Sequence, residues 1–560
     1  MSRPLQKGKA RATLRQLSST VLRPIISRNI NEIRLFRSYS QKNKMNELKT
    51  ISALVILFFC LSACQETDQH VKINLEELTI ADIHKAYTEG SYTSHDLVNA
   101  YISAIEKADD KINAISIINP NALNDAEALD EEYQKTKVFR PLHGIPIIVK
   151  DNINTTGLPT TAGAFALKDF IPEEHAFVIK RLVEAGAIIL AKSNMAEWAF
   201  SPMHTESSTG GITHNPYNLE YVPAGSSGGT AAAVAANFAV GGLGTDTGNS
   251  IRGPSSHNSL VGFRTTMGLI SREGIVPLFL RNDVVGPMCR TVEDATRIME
   301  VMVGVDSKDP ITKNSLGKTP KNYRQYLVKN GLEGARIGIL RELSDHEIDP
   351  DIQVIFERAI SDLDSLGAEI IDPVVIPDFE IFRQNKWCAM FRTDVEFFLA
   401  TYVKRDTIRT LEDIIRIGTT SEFSKERLFE SSTTSSRWGG SDVECLDVYH
   451  DSNSIAFREA IEVVMDSLNL SAIVYPSWNN KPAHIDNFQE EYKGDNSQII
   501  APHTGQPAFT VPMGFSPDNL PAGLQFLGRI YDEPTLIKLA YSYEQGTKYR
   551  KPPISGKKLR

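Results

Sequence analysis

Between Pro223 and Ser250 the chain reads PAGSSGGTAAAVAANFAVGGLGTDTGNS, and Asp246 is its only charged residue. The alanine run from Thr230 to Ala239 has helix-forming composition but no polar face. Such a helix must be buried, and its small side chains let neighbouring elements approach closely. Glycines on either side permit backbone turns that other residues disfavour. Ser226 and Ser227 therefore stand just before a buried helix, and Ser250 just after the strand that follows it. A surface helical bundle does not accommodate this segment; a large layered core does.

Its surroundings give the class of that core. HGIPIIVKDN reads as a short buried strand ending at Lys150, and HAFVIKRLVEAGA as a helix leading into a second strand, AIILAKSN. This alternation predicts βαβ units and an α/β fold with a large, mostly parallel mixed sheet covered by helices on both faces. YTSHDLVNAYISAIEKAD predicts an amphipathic packing helix with Thr93 as cap and Asp96 three residues on. From Ser307 to about Glu490 the pattern is mostly helical, without chemistry that can be named. HTGQPAFTVPMGF and LPAGLQFLG return to strand and turn. No linker or internal repeat divides the chain, so one large domain over residues 64–560 is expected.

A serine hydroxyl needs a base and oxyanion donors before it acts as a nucleophile. The one G-x-S-x-G match, GSSGG at 225–229, centres on Ser227, which reads as shaping the loop. Lysine can serve if burial keeps it neutral, and Lys150 follows the apolar residues Ile145, Ile147, Ile148 and Val149. Taken alone, a strand-end lysine is read as a solvated charge and Ser250 as a turn residue. The twelve histidines show no metal-ligand spacing, so His143 and His257 read as satisfied polar groups. GSSGG lacks the GK[ST] ending of a phosphate loop. Cys289, Cys388 and Cys445 are too widely spaced for a disulfide framework and read as buried free thiols. Ser227, Asp246 and Arg252 read as structural. Trp198, Trp387 and Tyr217 read as core, with a pocket wall as the alternative.

HGIPIIVKDN, PAGSSGG and GTDTGNSIRGP, in this order, resemble the amidase signature family. So do TTAG (160–163), AKSNMAEWA (191–199), NPY (215–217), DVVGPMCRTVEDA (283–295) and LPAGLQFLG (520–528), so the resemblance runs from about residue 78 to 545. It implies an amidase that hydrolyses a carboxylic amide to the acid and ammonia or an amine, without metal or cofactor. It also implies a triad of nucleophile Ser250, relay Ser226 preceded by a cis peptide bond, and base Lys150. The backbone amides of Thr247, Gly248, Asn249 and Ser250 would form the oxyanion hole. The sequence departs from the family where Asn249 replaces a glycine, and asparagine tolerates positive φ better than most residues. It departs again at Ala224, where glycine is common, and in SSHNSLVGFRTT (255–266). The pocket is expected from segments near 375–450 and the loops around Tyr217.

The N-terminus carries an address. Ile51–Phe59 is far too short to span a membrane but fits the apolar region of a signal peptide. Leu61-Ser62-Ala63-Cys64 resembles the lipobox of bacterial lipoproteins, which makes residues 45–63 a signal, Met45 the start and Cys64 the lipidated residue. Residues 1–44 are then a basic extension arising from start-site assignment; the same basic, acid-poor stretch also reads as a mitochondrial transit peptide. Residues 1–63 hold 12 of the 60 basic residues and two of the 69 acidic ones, leaving 48 against 67 and a formal charge of −19. So acidic a body is a poor partner for nucleic acid. The expected protein is an exported amidase, held on a bacterial envelope membrane by its lipid alone, acting on a small-molecule or peptide amide. Two alternatives stand beside it: the glutaminase subunit of a tRNA-dependent amidotransferase, and a catalytically silent binding protein on the same scaffold.

Overall fold

The computed structural model describes residues 72–553 apart from 346, 385, 386, 389 and 434–444. The signal and anchor readings, Met45 and Cys64 included, lie outside the described residues.

Among the described residues thirteen strands are formed: β1 (Ile115–Ile118), β2 (Ile145–Lys150), β3 (Ala187–Ser193), β4 (Glu206–Ser207), β5 (Gly211–Ile212), β6 (Gly241–Asp246) and β7 (Val261–Arg264), then β8 (Val284–Cys289), β9 (Arg336–Ile339), β10 (Glu369–Ile371), β11 (Ala472–Pro476), β12 (Ala508–Phe515) and β13 (Pro521–Leu527). β4 and β5 pair with each other. The other eleven form one sheet in the order β1-β3-β2-β6-β8-β7-β12-β13-β11-β9-β10. It is the expected large mixed α/β sheet but not a mostly parallel one: the parallel pairs form two flanking blocks and the other six of its ten pairs are antiparallel. β3, β2 and β6 run parallel, as do β11, β9 and β10. Between these blocks the pairing is antiparallel, through β8, β7, β12, β13 and β11.

β2 and β3 are buried at every position. This is why they read as continuous apolar runs: a strand covered on both faces has no polar side to alternate with. The small-residue helix forms over Gly228–Ala235, two residues earlier than its alanine run begins, and every residue in it is buried. It packs against β2, β6 and β8. β6 is correspondingly glycine-rich, because a Cβ on Gly242 would lie 2.5 Å from the Thr230 methyl. The amphipathic helix forms over Ser94–Ile112 with the Thr93–Asp96 capping box.

One expectation is extended and another corrected. Helices dominate the regular structure of region 307–490 as expected, but it also contributes β9, β10 and β11 to the sheet. Those strands are three to five residues long, too short for periodicity to separate them from their helical surroundings. Cys388 and Cys445 are not free thiols. They form a disulfide closing a loop of sequence separation 57, with Cα atoms 5.9 Å apart; Cys289 remains a buried thiol. Closing a loop of that length limits the unfolded chain by up to about 4 kcal/mol in the chain-entropy picture. A Cys388→Ala, Cys445→Ala double variant is therefore expected to lose up to that much stability, read as a lower denaturant midpoint against wild type under oxidising conditions. No helix of the described residues is long and apolar enough to cross a membrane.

Candidate active site

Lys150 is the last residue of β2 and Asp246 the last of the adjacent parallel strand β6. The carboxyl ends of parallel strands are where α/β sheets gather their ligand sites. Lys150 is fully buried, and its Nζ lies 2.8 Å from Ser226 Oγ and 2.8 Å from Thr245 Oγ1. Burial pulls its amine down to about 7, against the weaker opposing pull of the Asp283 and Asp246 carboxylates. The lysine is thus a neutral acceptor over much of the range above neutrality.

The Gly225–Ser226 peptide bond is cis, and Ala224 before it has φ 62°, a left-handed conformation that accounts for glycine's suitability there. A Cβ at Gly229 would collide with the Asn194 carbonyl, so the turn into the helix is tightly enclosed. Ser227 Oγ donates to Thr245 O at 3.2 Å and accepts from Thr245 N at 3.3 Å, fastening the serine loop to β6. Asn152 Nδ2 donates to Thr245 Oγ1 at 3.1 Å. Thr245 therefore organises both the lysine and the loop, a role that sequence reading missed.

Ser250 stands on the loop leaving β6, where it lines a cavity of about 370 Å³ with Thr247, Gly248 and Asn249. It is 4% exposed, whereas Ser226 is fully buried. Among the described residues no hydrogen bond joins the two serines; Ser250 Oγ donates instead to Asn249 Oδ1 at a long 3.4 Å. The backbone N–H groups of residues 247–250 have no acceptor among the described residues. Asn249 does not adopt the positive φ that its replacement of glycine suggested. Its side chain is the reason it fits: Nδ2 donates to Pro202 O at 3.3 Å, and Gly253 leaves the room it occupies.

This loop rests on a buried charge cluster. Asp246 accepts from Arg252 Nε at 3.1 Å and Arg264 Nη1 at 2.8 Å, all three side chains being fully buried. Burial alone would raise the Asp246 carboxyl; the two guanidiniums overcome it and hold it at about 2. Arg252 Nη2 also donates to Gly248 O at 2.6 Å. In a planar trans peptide the N–H points opposite to the C=O, so holding the Gly248 carbonyl inward turns the Asn249 N–H outward. Thr247 Oγ1 is anchored on Asp283 at 2.5 Å. Asp246→Asn would strand two buried cations, at a cost of about 3–5 kcal/mol. That loss is expected in denaturant melts at neutral pH. In wild type a smaller part of that contribution, about 2 kcal/mol, is present above about pH 4 and is lost as pH falls toward 2, since the folded state holds its proton less tightly than the unfolded chain.

The amidase family model matches residues 96–537. The chain belongs to the amidase family. A probable amidase of Arabidopsis thaliana is 34% identical over 503 residues, covering 86% of this chain and 92% of that protein. One component of the glutamyl-tRNA(Gln) amidotransferase of Alkaliphilus metalliredigens is 32% identical over 84% of this chain and 97% of that protein. The crystal structure of native peptide amidase from Stenotrophomonas maltophilia superposes with a TM-score of 0.76 at 33% identity, covering 85% of this chain and 98% of that one.

This amidase is an amide-hydrolysing enzyme, and its cavity walls come only in part from the expected segment 375–450, the rest being supplied by residues near 200, by Leu278 and Phe279, and by Tyr492 and Gln498. Phe200, Met203, Leu278, Phe279, Trp387 and Phe391 make an apolar face. Trp387 is adjacent to the disulfide half Cys388. The cationic residues at the cavity are already paired: Arg392 with Glu396 and Glu412, and Arg427 with Glu430. Tyr217 does not line the cavity; its ring is packed against Phe515 and its hydroxyl binds Lys551 O and Arg550. Trp198 is core, in edge contact with Phe391. His143 and His257 bind the carbonyls of Leu129 and Asn480. No cluster of potential metal ligands occurs among the described residues.

A second buried lysine escaped the sequence reading. Lys192, near the end of β3, donates to Ile153 O at 2.7 Å and Thr160 Oγ1 at 3.0 Å, and lies 3.5 Å from Asp151. Burial lowers it to about 8 while Asp151 pulls it upward. It holds the loop following β2, and with it Lys150, from below.

Proposed function

We propose that Ser250 is the nucleophile of a Ser–Ser–Lys relay that cleaves a peptide-type carboxylic amide. The observation that carries this reading is the buried, pKa-depressed Lys150 within 2.8 Å of cis-linked Ser226 and of Thr245, on the strand whose following loop places Ser250 at the cavity. Ser250 Oγ attacks the amide carbonyl carbon as its proton passes to Ser226 Oγ, whose own proton passes to neutral Lys150 Nζ. The tetrahedral oxyanion is received by the unpartnered N–H groups of Thr247, Gly248, Asn249 and Ser250. Collapse expels the amine, which takes the proton back through Ser226. Water then hydrolyses the Ser250 ester through the same relay, releasing the acid. Reaching this state requires Ser250 to exchange Asn249 for Ser226 as its partner, a side-chain rotation of the kind that substrate binding brings about in resting sites.

The largely apolar cavity with paired cations suits a neutral acyl group, and the likeness to a peptide amidase over 98% of that chain supports a stand-alone enzyme. The likeness to an amidotransferase component keeps glutamine-type amides on the panel to be tested. Hydrolysis of a set of N-acylated amino-acid amides, assayed with the purified chain alone, checks the assignment. Turnover without a partner supports it, and turnover that requires one sinks it.

Export with lipidation at Cys64 is part of the same proposal. The Cys388–Cys445 disulfide supports it, since such bonds persist outside reducing compartments. Cys64→Ala is expected to shift the protein from the membrane to the soluble fraction; retention on the membrane would refute the anchor.

A further inference from the structure

We infer that Gln498 is a specificity-determining residue whose side-chain carbonyl accepts a hydrogen bond from an acyl-side N–H of the substrate, one residue removed from the scissile amide. The inference rests on the peptide-type amide reading and deepens it.

Gln498 lines the cavity together with Gly248 and Ser250. Its Nε2 donates to Asp495 Oδ2 at 2.9 Å and also to Tyr492 Oη. Tyr492 Oη in turn donates to the same Asp495 oxygen at 3.1 Å. Both donors converge on one carboxyl oxygen of a buried aspartate. Burial pushes the Asp495 carboxyl up to about 7; once ionised above that pH its oxygen accepts and cannot satisfy an amide carbonyl, so there the Gln498 amide has only one orientation, with Nε2 inward and Oε1 outward. Oε1 has no partner among the described residues and is not sealed from the cavity. It stands beside the oxyanion loop, since a Cβ on Gly248 would lie 3.1 Å from it. The site thus presents a fixed, unoccupied acceptor next to the place where the reacting carbonyl is held.

The donor that meets it belongs to the acyl side. The leaving nitrogen must face Ser226 to regain its proton, and neither Gln498 nor Asp495 touches Ser226 or Lys150. An α-acylamino N–H, as in an N-acylated amino-acid amide, supplies a donor on the other side of the carbonyl, while Phe200, Phe279, Trp387 and Phe391 receive an apolar side chain. An analogue lacking that N–H leaves the acceptor desolvated and unpaired, which is how polar sites reject such analogues.

The test compares N-acetylphenylalaninamide with O-acetylphenyllactamide, which replaces only the acyl-side N–H by oxygen. Assayed above the Asp495 value of about 7, where that carboxyl is ionised, wild type is expected to favour the N–H member by about tenfold or more in kcat/KM. Gln498→Met should remove most of this preference by slowing the N–H member and leaving the ester member within about twofold. Asp495→Asn, which frees the glutamine amide to turn over, should shrink the preference as well. Labelling of Ser250 by a fluorophosphonate should keep its rate in Gln498→Met, a readout that a merely structural glutamine would disturb. Equal loss on both substrates, loss of labelling, or no wild-type preference overturns the inference. Absence of turnover of either substrate together with absence of a Ser250 adduct in wild type would instead overturn the amidase assignment of the site.

Discussion

Ser250→Ala is expected to abolish amide turnover, lowering kcat by about ten-thousand-fold or more, while leaving the fold intact. Removing the nucleophile from a serine hydrolase leaves only what binding and oxyanion stabilisation supply. Ser250 Oγ makes one long hydrogen bond, to Asn249, so its loss opens little of the core. Stability should change by less than about 1 kcal/mol, which circular dichroism melts alongside the rate assay will read. Substantial turnover by the folded variant would remove Ser250 from the nucleophile's role.

Lys150→Met is expected to cost about a thousand-fold or more, the scale of a lost general base. Methionine matches the lysine stem and keeps the space filled, but Ser226 Oγ and Thr245 Oγ1 each lose their nitrogen partner. In wild type, kcat/KM should rise with pH through about 7 as the buried amine loses its proton. The stability comparison has a definite sign. Lys150 is depressed in the fold, so above about pH 7 the unfolded chain holds the lysine proton more tightly than the native state. Wild-type stability therefore gains on the methionine variant as pH rises from 7 toward 10. Denaturant melts at pH 7 and pH 9 read that difference, and an unchanged gap would mean that Lys150 is not neutral in the fold.

The places of Lys150 and Ser250 were legible because burial leaves a mark in composition, while their roles came only from the family resemblance. IPIIV before Lys150 and the uncharged run before Asp246 could belong only to covered strands, so Lys150 and Ser250 could be placed at strand ends from sequence alone. The small-residue helix needed no homologue to be called buried. What escaped depends on pairing across distance. Thr245 meets Lys150 because β2 and β6 align Val149 with Leu243, and that register is not written in either strand. Its one signal was the position of a hydroxyl near the end of a glycine-rich strand. Cys388 and Cys445 looked like isolated thiols because their spacing carries no framework, yet chain folding brings them together at the edge of the cavity. Lys192, like Lys150, follows an apolar strand, AIILA, and the same reasoning applied there would have found it. Asn249 was read through its backbone when its side chain proved to matter. The short strands β9 and β10 gain their identity from neighbours in the sheet rather than from their own pattern.

The central claim is that buried Lys150 activates Ser250 through Ser226, and intact-mass labelling with a fluorophosphonate probe tests it most directly. Wild type should acquire a single adduct that peptide mapping places on Ser250, with a rate that climbs through about pH 7. Ser250→Ala should acquire none, and Lys150→Met should label far more slowly at every pH. Labelling of Ser250 at an undiminished rate in folded Lys150→Met would contradict the relay.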